Sequence, residues 1–423
     1  MLNKNNIREL AYLVKIDKIE PIEGKDRVEC AIVNGWTVMV KKGQFQPGDV
    51  GIYFEIDSRV PEKEPFMFLS SKNFKIKTQR YKAGNGYFWS QGLLMAPSDF
   101  GWVVATTQED TIWIPEDGDH GYHHINDESK FLTKILNITY SRDEDNVRKS
   151  SSDQKSKYKA MAARHSRLFK TKPFRWLMKK EWGKKFLYIF FGNKKEINEK
   201  KFPTHFPYIH KTDQERVENM PWVLNDPTPY IVTEKCDGSS ATYILERKLF
   251  GFEFYVCSRN IRQLTSKQKC FYEDNYYWEC AQKYGIEHKM KAFLQAFPKL
   301  KYVCWQGEIC GPGIQGNPQG LSERHLFCFH MIDSEIGKYD IREAEKIWHE
   351  YNMEVVPIID TCYLLPSQEK FKEFKQSADG YYHPSCCEGK TSQPREGFVY
   401  YKTTDPNFSF KNVSRKYLLK HEE

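Results

Sequence analysis

The sequence predicts an α+β protein in two folded parts: a small N-terminal β-barrel of the OB type, then a larger domain mixing antiparallel strands with helices. Three observations carry this. A chain of 423 residues exceeds one ordinary compact core. From Ala11 to Asp57 short apolar runs are cut by turn residues in the manner of an all-β meander. From Phe202 onward, strand-like runs alternate with segments of helical period. The expected division is 1–140 for the barrel, 141–201 for a basic and aromatic linker or insertion, and 202–423 for the second domain.

In the first part, Ala11–Ile19, Val28–Val33, Trp36–Lys41 and Gly51–Ile56 read as strands, with Pro21, Gly24, Asn34-Gly35 and Pro47-Gly48-Asp49 between them. Asn34-Gly35 predicts a type I′ hairpin, both of whose central positions need φ > 0. A further strand over Gly92–Ala96 follows the basic loop Lys75–Arg80. Barrels of this kind commonly carry nucleic acid on one face, although packing on a neighbouring domain accounts for the same surface. Asp117–His124 is rich in His and Asp but lacks a recurring ligand spacing, and reads as a solvated loop.

Between Ser141 and Lys200 there are 18 Lys plus Arg against 7 Asp plus Glu, an excess larger than the +8 of the whole chain. Lysines and arginines interleaved with aromatics, as in Phe174–Lys185, suit phosphates and stacked bases. An amphipathic surface helix or a solvated tether fits the composition as well. In the second part, strands are expected over Pro229–Thr233, Ala241–Leu245, Phe252–Ser258, Tyr302–Gln306, His325–Met331 and Gly397–Thr403. Helices are expected over Gln268–Tyr284, Met290–Phe297, Ile341–Tyr351 and Gln368–Ser377.

Several function classes are disfavoured. The apolar run Phe186–Phe191 is far short of the ~20 residues that cross a bilayer. The N-terminus has no secretory signal, and 11 scattered cysteines without a CxxC pair favour a reducing, cytoplasmic setting over a disulfide framework or a zinc site. No phosphate-binding GxxxxGK[ST] loop occurs, which argues against a P-loop kinase.

The chemistry sits in an ordered series. Glu234-Lys235-Cys236-Asp237-Gly238 follows the strand-like run Tyr230–Thr233 and puts a lysine at a strand-to-turn junction. A lysine becomes a nucleophile if its ordinary pKa of ~10.4 is lowered by burial or by neighbouring cations. After it come Ser258-Arg259-Asn260, Gly307-Glu308-Ile309-Cys310-Gly311, Phe327-Cys328-Phe329, Arg395-Glu396-Gly397 and Phe410-Lys411. This series resembles the collinear motifs of the covalent nucleotidyltransferases, which include DNA ligases, RNA ligases and mRNA capping enzymes. The chain reaches its last residue, Glu423, soon after Lys411, leaving no room for the C-terminal OB domain of DNA ligases and capping enzymes. With its own OB-like part ahead of the lysine, and Lys211–Asn219 opening the second domain, it looks like the RNA ligase 5 family of Naegleria and Deinococcus type. Its departures are the long basic linker, His330 where an acidic residue often follows the aromatic motif, and Lys411 without a second lysine two positions earlier.

The resemblance implies an adenylyltransferase domain with an ATP-grasp-like antiparallel sheet, ATP and Mg²⁺ or Mn²⁺ as cofactors, and RNA ends or nicked duplex as substrate, joined by a monomer with no protein partner and no membrane. It implies Lys235 as the residue that carries AMP, Lys411 on the α-phosphate, and Glu396 on the metal. Glu308 and Arg259 would contact ribose and substrate, Phe329 would stack on adenine, and Glu234, Asp237 and Gly238 would line the nucleotide site. Arg216 would take the terminal 5′-phosphate, with a structural ion pair as its alternative. The rival readings are a GTP-dependent RNA capping guanylyltransferase, a non-catalytic RNA-binding protein on a ligase fold, and a DNA ligase.

Overall fold

Alternating apolar residues in short antiparallel strands build the N-terminal domain. In this computed structural model the described residues are 1–5, 7–104, 111–114, 121–140, 213–259, 262–263, 275–389 and 393–421, with isolated positions between 171 and 209. Nearly all of the basic 141–201 segment, Asn260, Lys211 and the first part of the expected helix Gln268–Tyr284 lie outside them.

One sheet orders Ala11–Lys15, Val50–Phe54 and Leu93–Met95, and a second orders Lys18–Pro21, Val28–Val33 and Trp36–Lys41. A hairpin joins Gln79–Ala83 to Gly86–Ser90. Side chains alternate along each strand, so Ala11, Leu13, Ile52 and Phe54 fill one core while Tyr12, Val14, Trp36, Val38 and Tyr53 fill another. That second core is shared between domains. Val413, Tyr417 and Leu418 from the C-terminal end of the chain pack into it.

The Asn34-Gly35 hairpin has the expected two-residue loop, with Val33 opposite Trp36. Its chemistry differs from expectation, since Asn34 alone has positive φ, at 51°. Gly35 is needed for close approach instead. A Cβ there would stand 2.3 Å from Phe371 and 2.7 Å from the Cα of Glu218, and the Gly35 N–H donates to the Glu218 carbonyl at 2.5 Å. Gly35→Ala should therefore push the domains apart and cost roughly 1–3 kcal/mol by overpacking. Gly86→Ala, with no atom nearer than 4.0 Å, is the control. Urea midpoints of the two variants check this.

Around Asn219 the domains are joined by hydrogen bonds. Its Oδ1 accepts from Tyr12 Oη at 2.9 Å and from Trp36 Nε1 at 2.6 Å, and its Nδ2 donates to Glu55 at 3.0 Å and to Glu215 at 2.8 Å. The expected loop over Asp117–His124 is corrected at its end. Tyr122–His124 pairs antiparallel with Thr111–Trp113, and His123 is buried with Nδ1 2.6 Å from the Ser129 carbonyl.

Two sheets form the second domain. The five-stranded sheet runs Glu215–Arg216, Ser409–Val413, Gly397–Lys402, Tyr230–Glu234, Ile358–Tyr363. The seven-stranded sheet is centred on Phe252–Ser258, Ser239–Arg247, Tyr302–Cys310 and His325–Asp333. Pairing is antiparallel except at Glu215–Arg216 with Ser409–Val413 and at Glu354–Val355 with His325–Asp333. Helices Tyr276–Lys283, Ile286–Ala296 and Ile341–Glu350 cover one face of the larger sheet. The last of these is typical. Asp340 caps it by accepting from the Arg342 N–H at 2.8 Å, and Ile341, Ala344 and Trp348 fall on one buried stripe. The other face of the larger sheet meets the smaller one, since Phe327 shares a core with Ile231, Val399 and Tyr401.

Candidate active site

The site forms where strand ends of the two sheets converge. Lys235 directly follows the strand Tyr230–Glu234, and its N–H donates to the Gly397 carbonyl at 2.9 Å, extending the ladder by one step. That step sets Lys235 beside Glu396, with Nζ 3.0 Å from Oε1. Gly238 lets the following turn lie against the larger sheet, because a Cβ would stand 2.3 Å from the Ile309 carbonyl oxygen. The turn brings Asp237 and Lys235 toward Glu308. Gly397 is similarly constrained, with φ of 146° and the Asn412 carbonyl oxygen 2.2 Å from any Cβ.

Burial alone would lower the pKa of Lys235, but Glu396, Glu308 and Asp237 outweigh it and raise the amine well above an ordinary lysine. The resting side chain is thus an ammonium, opposite to the lowered pKa that sequence reasoning attaches to a nucleophilic lysine. Glu308 shows the reverse effect. Its burial pushes the carboxyl up to about 8, Lys235 and Arg259 pull it down, and Glu396 and Asp237 push it further up.

Lys411 lies on Ser409–Val413 opposite Val399 and beside Arg216. Paired residues share a face, so Lys411 looks with Val399 into the space between the sheets. Burial brings its pKa down to about 8; Asp213 opposes the shift, while Arg216, Lys235 and Arg8 add to it. Arg259 is ion-paired with Asp213. Arg216 reaches Asp57 of the first domain at 3.3 Å, with its guanidinium 5.7 Å from the Trp36 ring centre. Glu234 is buried, with one oxygen 3.4 Å from Arg395, and burial lifts its carboxyl to about 7 despite that arginine. Phe329 is half-buried against the core between the sheets.

Lys235, Asp237, Glu308, Glu396, Lys411 and Arg259 thus gather in one electrostatic cluster. Glu234 and Arg216 have ion-pair partners of their own. Sequence reasoning missed Asp213 and Arg8. Asp213 stands in the segment opening the second domain, while Arg8 carries no sequence signal and arrives only through the domain contact.

The donor chemistry suits a hard divalent cation. Glu396 and Glu308 offer carboxylate oxygens, and among the described residues no three His, Cys, Asp or Glu side chains group as a ready-made cage. Carboxylates of this kind fit Mg²⁺ or Mn²⁺, which keep water and take substrate phosphate oxygens.

Residues 10–95 match the sequence model of an OB-fold domain, and residues 228–418 match that of the RNA ligase family. No curated protein matches the chain in sequence. Solved structures of Naegleria gruberi RNA ligase match the chain in fold. A ligand-free variant is 25% identical with a TM-score of 0.67, covering 98% of this chain and 99% of that one. The form with pyrophosphate is 26% identical with a TM-score of 0.66 over the same shares. A variant with ATP and manganese is 25% identical with a TM-score of 0.67, covering 98% of this chain and all of the other.

Proposed function

This chain belongs to the RNA ligases, of the ATP-dependent type represented by the Naegleria gruberi enzyme, and from that premise we propose that it joins a 3′-OH to a 5′-phosphate at RNA ends or nicks through AMP carried on Lys235. The observation that supports this best is the contact of Lys235 with Glu396 at 3.0 Å, flanked by Lys411 and Glu308.

Neutral Lys235 attacks the α-phosphorus of ATP. The N–P bond forms, the bond to pyrophosphate breaks, and the amine releases a proton. An oxygen of the RNA 5′-phosphate then takes the adenylyl group, and Lys235 recovers a proton as the N–P bond breaks. In the last step the 3′-OH attacks that phosphate, loses its proton and expels AMP. Each step gathers charge on non-bridging oxygens, so cations set around the phosphate lower the barrier.

Lys411 serves the α-phosphate, and Arg259 lies close by with Asp213 as its partner. Glu308 takes the ribose, Phe329 stacks on adenine, and Asp237, Gly238 and Glu234 line the nucleotide. Arg216 serves the 5′-phosphate from beside Lys411. Glu396 would hold Mg²⁺ or Mn²⁺, which when bound neutralises charge on phosphate oxygens. Deprotonation of Lys235 requires Glu396 and Glu308 to loosen their hold, since they are the largest influences raising its pKa. The protein is read as a cytoplasmic monomer; no helix among the described residues is long and apolar enough to cross a membrane.

The test is a nicked duplex with RNA on the 3′-OH side and a 5′-phosphate, given with ATP and Mn²⁺ or Mg²⁺. Joined product is expected, and none when the 5′-phosphate is replaced by a 5′-OH. Equal joining from a DNA 3′-OH would make it a DNA-tolerant ligase. Covalent label from GTP in place of ATP would make it a capping enzyme.

A further inference from the structure

Pairing in the larger sheet sets a row of polar side chains on the face turned toward the smaller sheet. Ser240 stands opposite Glu308, and Thr242 opposite Gln306. The intervening Ala241, Tyr243 and Trp305 pack on the helices, on the opposite face. Along His325–Asp333 the register breaks, because Gly307 pairs with Cys328 but Gln306 pairs with His330. Phe329 is the extra residue of a bulge, a device that re-aims side chains. As a result Phe329 and His330, though consecutive, both serve the inter-sheet space. Phe329 packs on its core and His330 meets Gln306, which lies in the same row as Glu308.

His330 is 7% exposed, and its ring stands edge-on to both Phe329, 4.8 Å away, and Tyr401, 5.7 Å away. Nδ1 lies 3.2 Å from the Gln306 Oε1, and the other end of that amide donates to the Thr242 hydroxyl at 3.3 Å. Held this way, Nδ1 carries the proton and donates it to Gln306, leaving a lone pair on Nε2. Nε2 is buried without a hydrogen-bond partner. Burial, reinforced by Lys338, keeps the ring neutral. A buried acceptor left unpaired in this space is a site that awaits a donor.

We infer that His330, oriented by Gln306 and Thr242, reads the base of the bound nucleotide, its Nε2 accepting from the 6-amino group of adenine and opposing the 6-oxo group of guanine. The inference rests on the reading of this cleft as a nucleotide site and adds the residue that selects the base. Adenine presents a donor at position 6 where guanine presents an acceptor, so a fixed lone pair separates them by attraction on one side and repulsion on the other.

The test compares ATP, GTP and purine riboside triphosphate, which lacks the 6-amino group, by covalent label retained on the full chain against nucleotide concentration. The wild type should use ATP about 10-fold better than purine riboside triphosphate, the worth of one buried hydrogen bond. His330→Leu should bring ATP down to the level of the analogue, leave the analogue unchanged and weaken the bias against GTP. His330→Gln, which can still offer an acceptor, should restore part of the preference. An unchanged ATP-to-analogue ratio in His330→Leu overturns the inference, and if that variant fails to fold, equal use of ATP and analogue by the wild type overturns it. A wild type that takes label from none of the three removes the nucleotidyl-transfer reading and this one together. A wild type that takes up AMP but ignores the 6-amino group removes this one alone.

Discussion

Lys235→Ala should lower covalent uptake of AMP by more than about 10³-fold, the scale on which loss of a covalent nucleophile is felt. Label from ATP that survives denaturation is the measurement. Lys235→Arg should fail equally, because a guanidinium stays protonated at any workable pH. A purely structural role for the lysine predicts otherwise. It ion-pairs with Glu396 at 3.0 Å, and arginine would preserve that pairing and the activity with it. A second measurement separates the steps. Given RNA already adenylylated at its 5′ end, Lys235→Ala should still join it to a 3′-OH, since no N–P bond has to form. Loss of both activities would mean that the carboxylates around Lys235 depend on its charge to keep their places. Glu308 is the one at risk, because its carboxyl already stands near 8 with the ammonium present.

Short apolar runs bounded by turn residues were the most legible part of the fold. Val28–Val33, Trp36–Lys41 and Phe252–Ser258 have the boundaries their patterns predict. Ser239–Arg247 and Tyr302–Cys310 run longer than expected, because polar residues such as Ser239, Glu246 and Glu308 continue the ladder without continuing the apolar pattern. Ile358–Tyr363 escaped notice since Asp360 and Thr361 interrupt its apolar run. The series of motifs located the cluster in sequence, but its electrostatics depend on contacts that no local pattern carries. Arg8 acts on Lys411 only because the first domain packs on the second, and the close approach at Gly35 belongs to the same contact. A turn rule read Gly35 as a φ requirement when the requirement was room for Phe371. The bulge at Phe329 is equally silent, since Phe327-Cys328-Phe329-His330 reads as plain alternation until its partner strand is known.

Lys411→Ala should slow adenylylation by about 10²- to 10³-fold, the cost of removing one preorganised group that stabilises a developing oxyanion. The more discriminating result is its pH dependence. In the free protein Lys411 has a pKa of about 8 because it is buried and shares its surroundings with Arg216, Lys235 and Arg8. Below that value it is an ammonium that attracts phosphate, and above it the attraction is lost. A bound triphosphate restores charge balance and draws the proton back, so the effect should fall on capture of ATP rather than on the bound complex. The KM for ATP should therefore rise as pH passes upward through about 8. Lys411→Arg, charged throughout, should flatten the KM profile even if its geometry lowers kcat. Lys235 works in the opposite direction. Its raised pKa makes the chemical step faster at higher pH. The two lysines together give kcat/KM for adenylylation a rising limb from Lys235 and a break from Lys411, and in Lys411→Arg only the rising limb should remain. A wild-type profile that climbs without a break would mean that Lys411 does not meet the phosphate.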